Sequence, residues 1–173
     1  MAWQIDPSHT HVGFSARHMM ITTVKGEFTK ATGTVDFNEE HPEKSIVDVT
    51  IDATSINSRD EKRDGHLKSP DFLDIAKYPV ITFKSRKVHP VSATEARVTG
   101  DLTIRDVTRE IVLDVEHNGT AKAPWGSTSA GFSAKGKFNR KDFNLVWNMV
   151  LETGGLLVSE EVKIDIEAEI VKQ

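Results

Sequence analysis

Near the C-terminus the chain runs Glu161-Val162-Lys163-Ile164-Asp165-Ile166-Glu167-Ala168-Glu169-Ile170, apolar and charged residues alternating without a break. A helix would scatter those charges around its circumference. A β-strand sends successive side chains to opposite faces, so Val162, Ile164, Ile166, Ala168 and Ile170 form one dry face and the charges one wet face. The same period recurs upstream. Ala130, Phe132, Ala134, Gly136 and Phe138 alternate with polar residues, as do Ala96, Val98, Gly100, Leu102 and Ile104. Ile111, Leu113 and Val115 return the pattern after the polar turn Arg105-Asp106, which reads as a hairpin. Val47, Val49, Ile51 and Ala53 form a further set, and Val12, Phe14, Ala16 and His18 another. Repeated half-apolar strands separated by turn signals, among them Gly154-Gly155, indicate antiparallel all-β architecture.

Two details favour a closed barrel over a flat sandwich. Between Val24-Gly26-Phe28 and Ala31-Gly33-Val35-Phe37 the apolar phase slips by one residue. Such a slip marks a bulge that bends a long strand, as closure requires. Small residues (Ala16, Ala31, Gly33, Gly100, Ala130, Ala134, Gly136) recur on the apolar faces, where they allow strands to bend or leave space inside. One segment breaks the rhythm. Ser58-Arg59-Asp60-Glu61 reads as a capping box and Ser69-Pro70-Asp71-Phe72 as a second helix start, so residues 58–76 are predicted to be a short helical insert plugging one barrel end. With no linker or internal repeat, residues 1–173 read as one domain.

Composition narrows the function. The chain has 173 residues, no cysteine and a formal net charge of −4. It therefore has no disulfides and no thiolate chemistry. Lys and Arg are spread along the chain among Asp and Glu, which predicts no basic stripe and no nucleic-acid partner. The start, Met1-Ala2-Trp3-Gln4-Ile5-Asp6, has neither the basic nor the apolar region of a signal peptide, and no apolar run reaches membrane-spanning length. The expectation is a cytoplasmic protein without stable membrane insertion, periplasmic only if a leader has been removed.

An ordered set of motifs resembles the YceI-like family of lipocalin-like, polyisoprenoid-binding barrels. It begins with Trp3-x-Ile5-Asp6 and His9, then Val12-x-Phe14-x-x-Arg17-His18-Met19-Met20 and Val24-x-Gly26-x-Phe28. It is strongest in Arg63-Asp64-x-His66-Leu67-x-Ser69-x-Asp71-Phe72, continuing to Tyr78-Pro79-x-Ile81-x-Phe83. It resumes at Gly100-Asp101-Leu102-Thr103-Ile104, Gly131-Phe132, Asn139-Arg140-x-Asp142-Phe143 and Glu161-Val162-x-Ile164. The resemblance implies a single extended eight-stranded antiparallel barrel, a long isoprenoid-like lipid in its pore, no catalysis, no cofactor, and a homodimer. Trp125 with Met19-Met20 offers apolar surface for the second copy. Arg105-Asp106 stands where the family often has a His-Gly turn, and Asn144 where Gly is usual.

The candidate ligand-binding residues follow. Phe14, Phe28, Phe72, Phe132, Phe138 and Trp147 are candidates for the pore wall, with Ala134 mid-strand between Phe132 and Gly136. His18 shares the inward set of its strand. Met19 and Met20 carry flexible thioethers suited to an adaptable lipid contact. Arg63 and His66 lie three apart on a short helix, placed either to anchor the insert or to meet a polar headgroup. The alternative is a metal-dependent or hydrolytic enzyme using His9, His11 and His18. His9 and His11 share a register opposite to His18, no Gly-x-Ser-x-Gly elbow frames Ser8 or Ser69, and no metal is expected.

Overall fold

A computed structural model describes residues 2–149 and 157–173; Gly154 and Gly155, read above as a turn, lie outside them. The chain forms strands β1 (Ala2–Ile5), β2 (His11–His18), β3 (Thr22–Phe28), β4 (Ala31–Asp36), β5 (Ile46–Asp52) and β6 (Ile56–Asn57). Helix α1 (Glu61–Lys68) follows, then β7 (Val80–Pro90), β8 (Glu95–Ile104), β9 (Val107–Lys122), β10 (Thr128–Asn139) and β11 (Glu161–Lys172). All pairings are antiparallel.

The short strands are halves of long, bent ones. β11 carries β1 at its C-terminal end, with Ile5 opposite Ile170, and β2 along its first half, with Phe14 opposite Ile164. A 3-10 turn at Pro7–His9 breaks β1 from β2. β3 pairs with β2 and β4 with β1, so the phase slip falls at the break between Phe28 and Ala31. Counting β1/β2, β3/β4 and β5/β6 as one bent strand each, eight strands close into a barrel, because β1 bonds to both β4 and β11. Bulges lie between Ser85 and Lys87 on β7 and opposite the Gly131–Phe132 step of β10.

The inward positions separate into two groups. Val98, Leu102, Ile104, Ile111, Leu113, Ile81 and Phe83 are buried in a packed cluster. Val162, Ile164, Ile166 and Ala168, the cleanest apolar face in the sequence, are only half-buried. Both groups line one hollow interior. The small residues also divide. Ala16, Ala31 and Ala134 line that hollow, whereas Gly26, Gly100 and Gly136 are covered by Phe14, Phe83 and Leu113 from the neighbouring strands.

The insert at 58–76 contains one helix, and its cap differs from the predicted one. The Asp60 carboxylate accepts the Arg63 N–H at 3.0 Å, making Asp60 the N-cap. Ser58, 3% exposed, instead donates its hydroxyl to Asp64 at 2.5 Å and accepts from Arg63 Nε at 2.9 Å. A charged acceptor two residues nearer the helix outcompetes the serine hydroxyl. Ser69 starts no second helix; it terminates α1, donating its hydroxyl to the His66 carbonyl at 2.6 Å. Turns through Asp74, at φ 49°, then fold Phe72 and Leu73 back into the barrel end. Arg105, in the β8–β9 turn, ties this segment down by donating to the Phe72 carbonyl at 3.2 Å and lying 5.6 Å from the Tyr78 ring centroid.

Candidate ligand-binding cavity

The interior holds a cavity of about 440 Å³, within the range of small-molecule sites. Its long wall is apolar and drawn from every strand pair: Val12 and Phe14, Phe28, Val49, Phe83, Val98, Leu113, Ala134, and Ile164 with Ile166. Polar groups are confined to the ends. At one end the insert contributes Leu67, Phe72 and Leu73, joined by Leu145, Val158 and the buried Arg140. At the other, Glu39, Ser92, Thr94 and Glu95 are solvent-exposed lining residues, so the cavity opens between the 37–45 and 91–94 loops. Phe37, His117 and Phe132 stand at this mouth as a three-ring cluster, each centroid 5.0–5.1 Å from the next.

Of the residues singled out in the sequence, Phe14, Phe28, Phe72, Phe132, Ala134 and Phe138 line the cavity. Trp147 and His66 form a layer outside Phe72, their rings 4.6 Å apart and 5.5 Å and 5.1 Å from the Phe72 ring. His66 Nε2 is also 2.9 Å from Asp71. Arg63 is spent on the helix cap, its guanidinium bonded to the Ser58 hydroxyl and, at 2.7 Å, to the Ser58 carbonyl. His18 bridges to Val158. Met19 and Met20 occupy the exposed β2–β3 turn, both in the left-handed region at φ 51° and 62°, with Ile21 N–H bonded to the His18 carbonyl. Trp125 is 82% exposed in the β9–β10 turn.

The histidines of the enzyme alternative have separate partners. His11 Nδ1 lies 2.7 Å from Glu27. His9 Nδ1 lies 2.8 Å from Asp6, and these two with Glu169 bring their ligand atoms within 4.8 Å of one another at the surface. The Ser8 hydroxyl and the His9 ring hold the Asp6 carboxyl below its ordinary value, and the Asp6 hydrogen bond raises the imidazole. The Ser8 hydroxyl donates at 2.6 Å to Asp6, the cap of the Pro7–His9 turn, and Ser8 is not among the cavity-lining residues.

Among the cavity residues that the sequence reading did not single out, Arg140 and His117 lie on the alternation itself. Continuing Ala134, Gly136, Phe138 by two places reaches Arg140, and continuing Ile111, Leu113, Val115 reaches His117. The period had been carried only as far as apolar residues went. Arg140, 3% exposed, donates to the carbonyls of Ser159 (2.8 Å), Leu145 (2.6 Å), Trp147 (2.8 Å) and Val158 (3.3 Å). Burial pushes its guanidinium below its usual value, yet the four carbonyls solvate the charge. It is the clasp between the chain after β10 and the chain before β11.

Residues 3–170 match the YceI-like domain. The chain belongs to the YceI-like family. Protein YceI of Escherichia coli O157:H7 is 39% identical over 165 residues, covering 95% of this chain and 83% of that one. The crystal structure of a Campylobacter jejuni YceI protein superposes with a TM-score of 0.79 at 34% identity, covering 91% of this chain and 90% of that one. A polyisoprenoid binding domain from Saccharophagus degradans, implicated in plant cell wall breakdown, shares the fold with a TM-score of 0.65 at 15% identity, covering 97% of both chains. The YceI-like chain described here is thus an all-β, closed eight-stranded barrel whose relatives share nearly its full described extent.

Proposed function

We propose that this YceI-like barrel binds and carries a single apolar, isoprenoid-like lipid in its cavity and performs no chemistry on it. The observation that carries the reading is the half-buried state of Val162, Ile164, Ile166 and Ala168. A folded chain does not forgo burying a continuous apolar face without a partner for it, since each methylene taken from water contributes about 0.8 kcal/mol. A methyl-branched chain along that wall completes the core. The polar mouth, with Glu39, Ser92, Thr94, Glu95 and His117, leaves the head of the lipid in a wet, hydrogen-bonding environment. The polyisoprenoid binding named for the Saccharophagus degradans domain of the same fold supports this ligand class. Native mass spectrometry of protein purified without detergent, followed by organic extraction, tests it. The expected result is a near-stoichiometric apolar adduct; bare polypeptide from several expression hosts would remove the reading.

A further inference from the structure

The outer wall of the barrel carries a basic groove that the linear sequence hides. Lys87 and His89 of β7, Arg97 of β8, Lys135 and Lys137 of β10 and Lys163 of β11 ring a shallow depression. Thr99, Val112 and Gly136 also line it, and Asp114 is the one acid among the lining residues. Strand register assembles it: Lys87 faces Thr99 and Thr99 faces Val112, while His89 faces Arg97 and Lys137 faces Lys163. The same row continues through Ser15 to Lys25. The β7 bulge sets the phase. Ile81 and Phe83 point inward before it and Val88 after it, which turns Lys87 and His89 outward. The nearby acids offset only part of this charge. Asp114 lies 3.7 Å from Arg97 and Glu161 4.0 Å from Lys137, and Asp165 faces Lys135. Five Lys and Arg against these three acids leave a local positive excess in a chain of net charge −4.

We propose that this face docks the barrel on the surface of an anionic phospholipid bilayer. Clustered lysines and arginines are attracted to such a surface without insertion, and among the described residues no helix is long and apolar enough to cross a membrane. Half-exposed Val112, in the middle of the groove, suits contact with the interface. Nucleic acid fits less well. The groove is lined by no Phe, Tyr or Trp for a base to stack on, only the single imidazole of His89, and a broad sheet wall cannot enter a duplex groove. The proposal rests on the lipid-carrier reading, because a carrier must meet a bilayer to load or release its cargo.

The test is co-sedimentation with vesicles of phosphatidylcholine alone, or with a quarter phosphatidylglycerol, at low and moderate salt. Binding is expected to the anionic vesicles only and to weaken as salt screens it. Lys137→Glu with Lys163→Glu, or the milder Lys87→Gln with Lys135→Gln, is expected to reduce binding roughly tenfold or more. Lys62→Glu with Lys77→Glu, on the insert, serves as the charge-matched control and should change it little. No binding to anionic vesicles, equal loss in the control, or tighter binding to duplex DNA than to these vesicles would overturn the proposal. Cargo is measured by native mass spectrometry on the same samples. A loaded barrel that ignores anionic vesicles sinks the docking alone, and an empty barrel that binds them sinks the carrier reading.

Discussion

Phe83 on β7 lays its ring across Gly100 on β8, so that a β-carbon at position 100 would stand 2.5 Å from Cζ and 2.7 Å from the Lys84 carbonyl oxygen. The ring fills the room that the missing side chain leaves and forms part of the cavity wall. Gly136 has a softer neighbour, the terminal Cδ2 of Leu113 at 2.7 Å.

Gly100→Ala is therefore expected to destabilise the fold by about 1–3 kcal/mol, because ring and backbone must both move. Gly136→Ala is expected to cost less, since a leucine terminus changes rotamer easily. Urea midpoints of lipid-stripped protein measure both. A neutral Gly100→Ala would show that Phe83 swings into the cavity at no cost.

Ala134 lies on the cavity wall between Val115 and Ile166, and its methyl is the smallest side chain at that point. Ala134→Phe is expected to fill space that the lipid occupies, so co-purified lipid should fall sharply while the denaturation midpoint stays nearly constant. A clearly destabilised variant with full lipid occupancy would place Ala134 in packed core instead.

Removing the clasp at Arg140 takes this donor from the carbonyls of Leu145, Trp147 and Ser159, while the Val158 carbonyl keeps the Asn148 amide at 2.7 Å. Arg140→Met is expected to cost about 3–5 kcal/mol, the range for breaking a buried charged network. Arg140→Lys should recover only part of it, because one ammonium cannot span the positions that the guanidinium reaches. Chemical denaturation of the three proteins gives the order directly.

The Asp6–His9 pair predicts a pH dependence of opposite sign at its two limits. His9 is raised from 6.5, so its contribution is complete below that value and is lost as pH rises through the folded value. Asp6 is lowered from 3.8, so its contribution is present above that value and is lost as pH falls through the folded one. Between 3.8 and 6.5 both groups are charged. In an NMR titration the His9 midpoint should lie above 6.5 and move back toward it in Asp6→Asn. An unchanged midpoint in that variant would assign the shift to Glu169.

Alternation along Ala130–Phe138 and Val162–Ile170 was enough to read strands, their dry faces and, with the slip before Ala31, a bent and closed sheet. Five candidates that line the cavity, Phe14, Phe28, Phe132, Ala134 and Phe138, are readable in the same way, and Phe72 comes from the insert. Period two is a property of each strand alone, so it survives in linear sequence. Arg140 and His117 sit on the same phase, each two places beyond the last apolar residue of its run. Other features depend on which residue stands opposite which. The even scatter of Lys and Arg predicted no basic surface, and the barrel contradicts it, because register and the β7 bulge bring Lys87, Arg97, Lys135, Lys137 and Lys163 from four strands onto one face. Whether an inward glycine leaves a hollow or shelters a ring likewise depends on the adjacent strand, as Gly100 beneath Phe83 shows. The sequence by itself determined a β-barrel with an apolar inside. Tertiary structure alone decided where that inside is full, where it is empty, and where the charge collects outside, because cross-strand neighbours are set by closure of the whole ring.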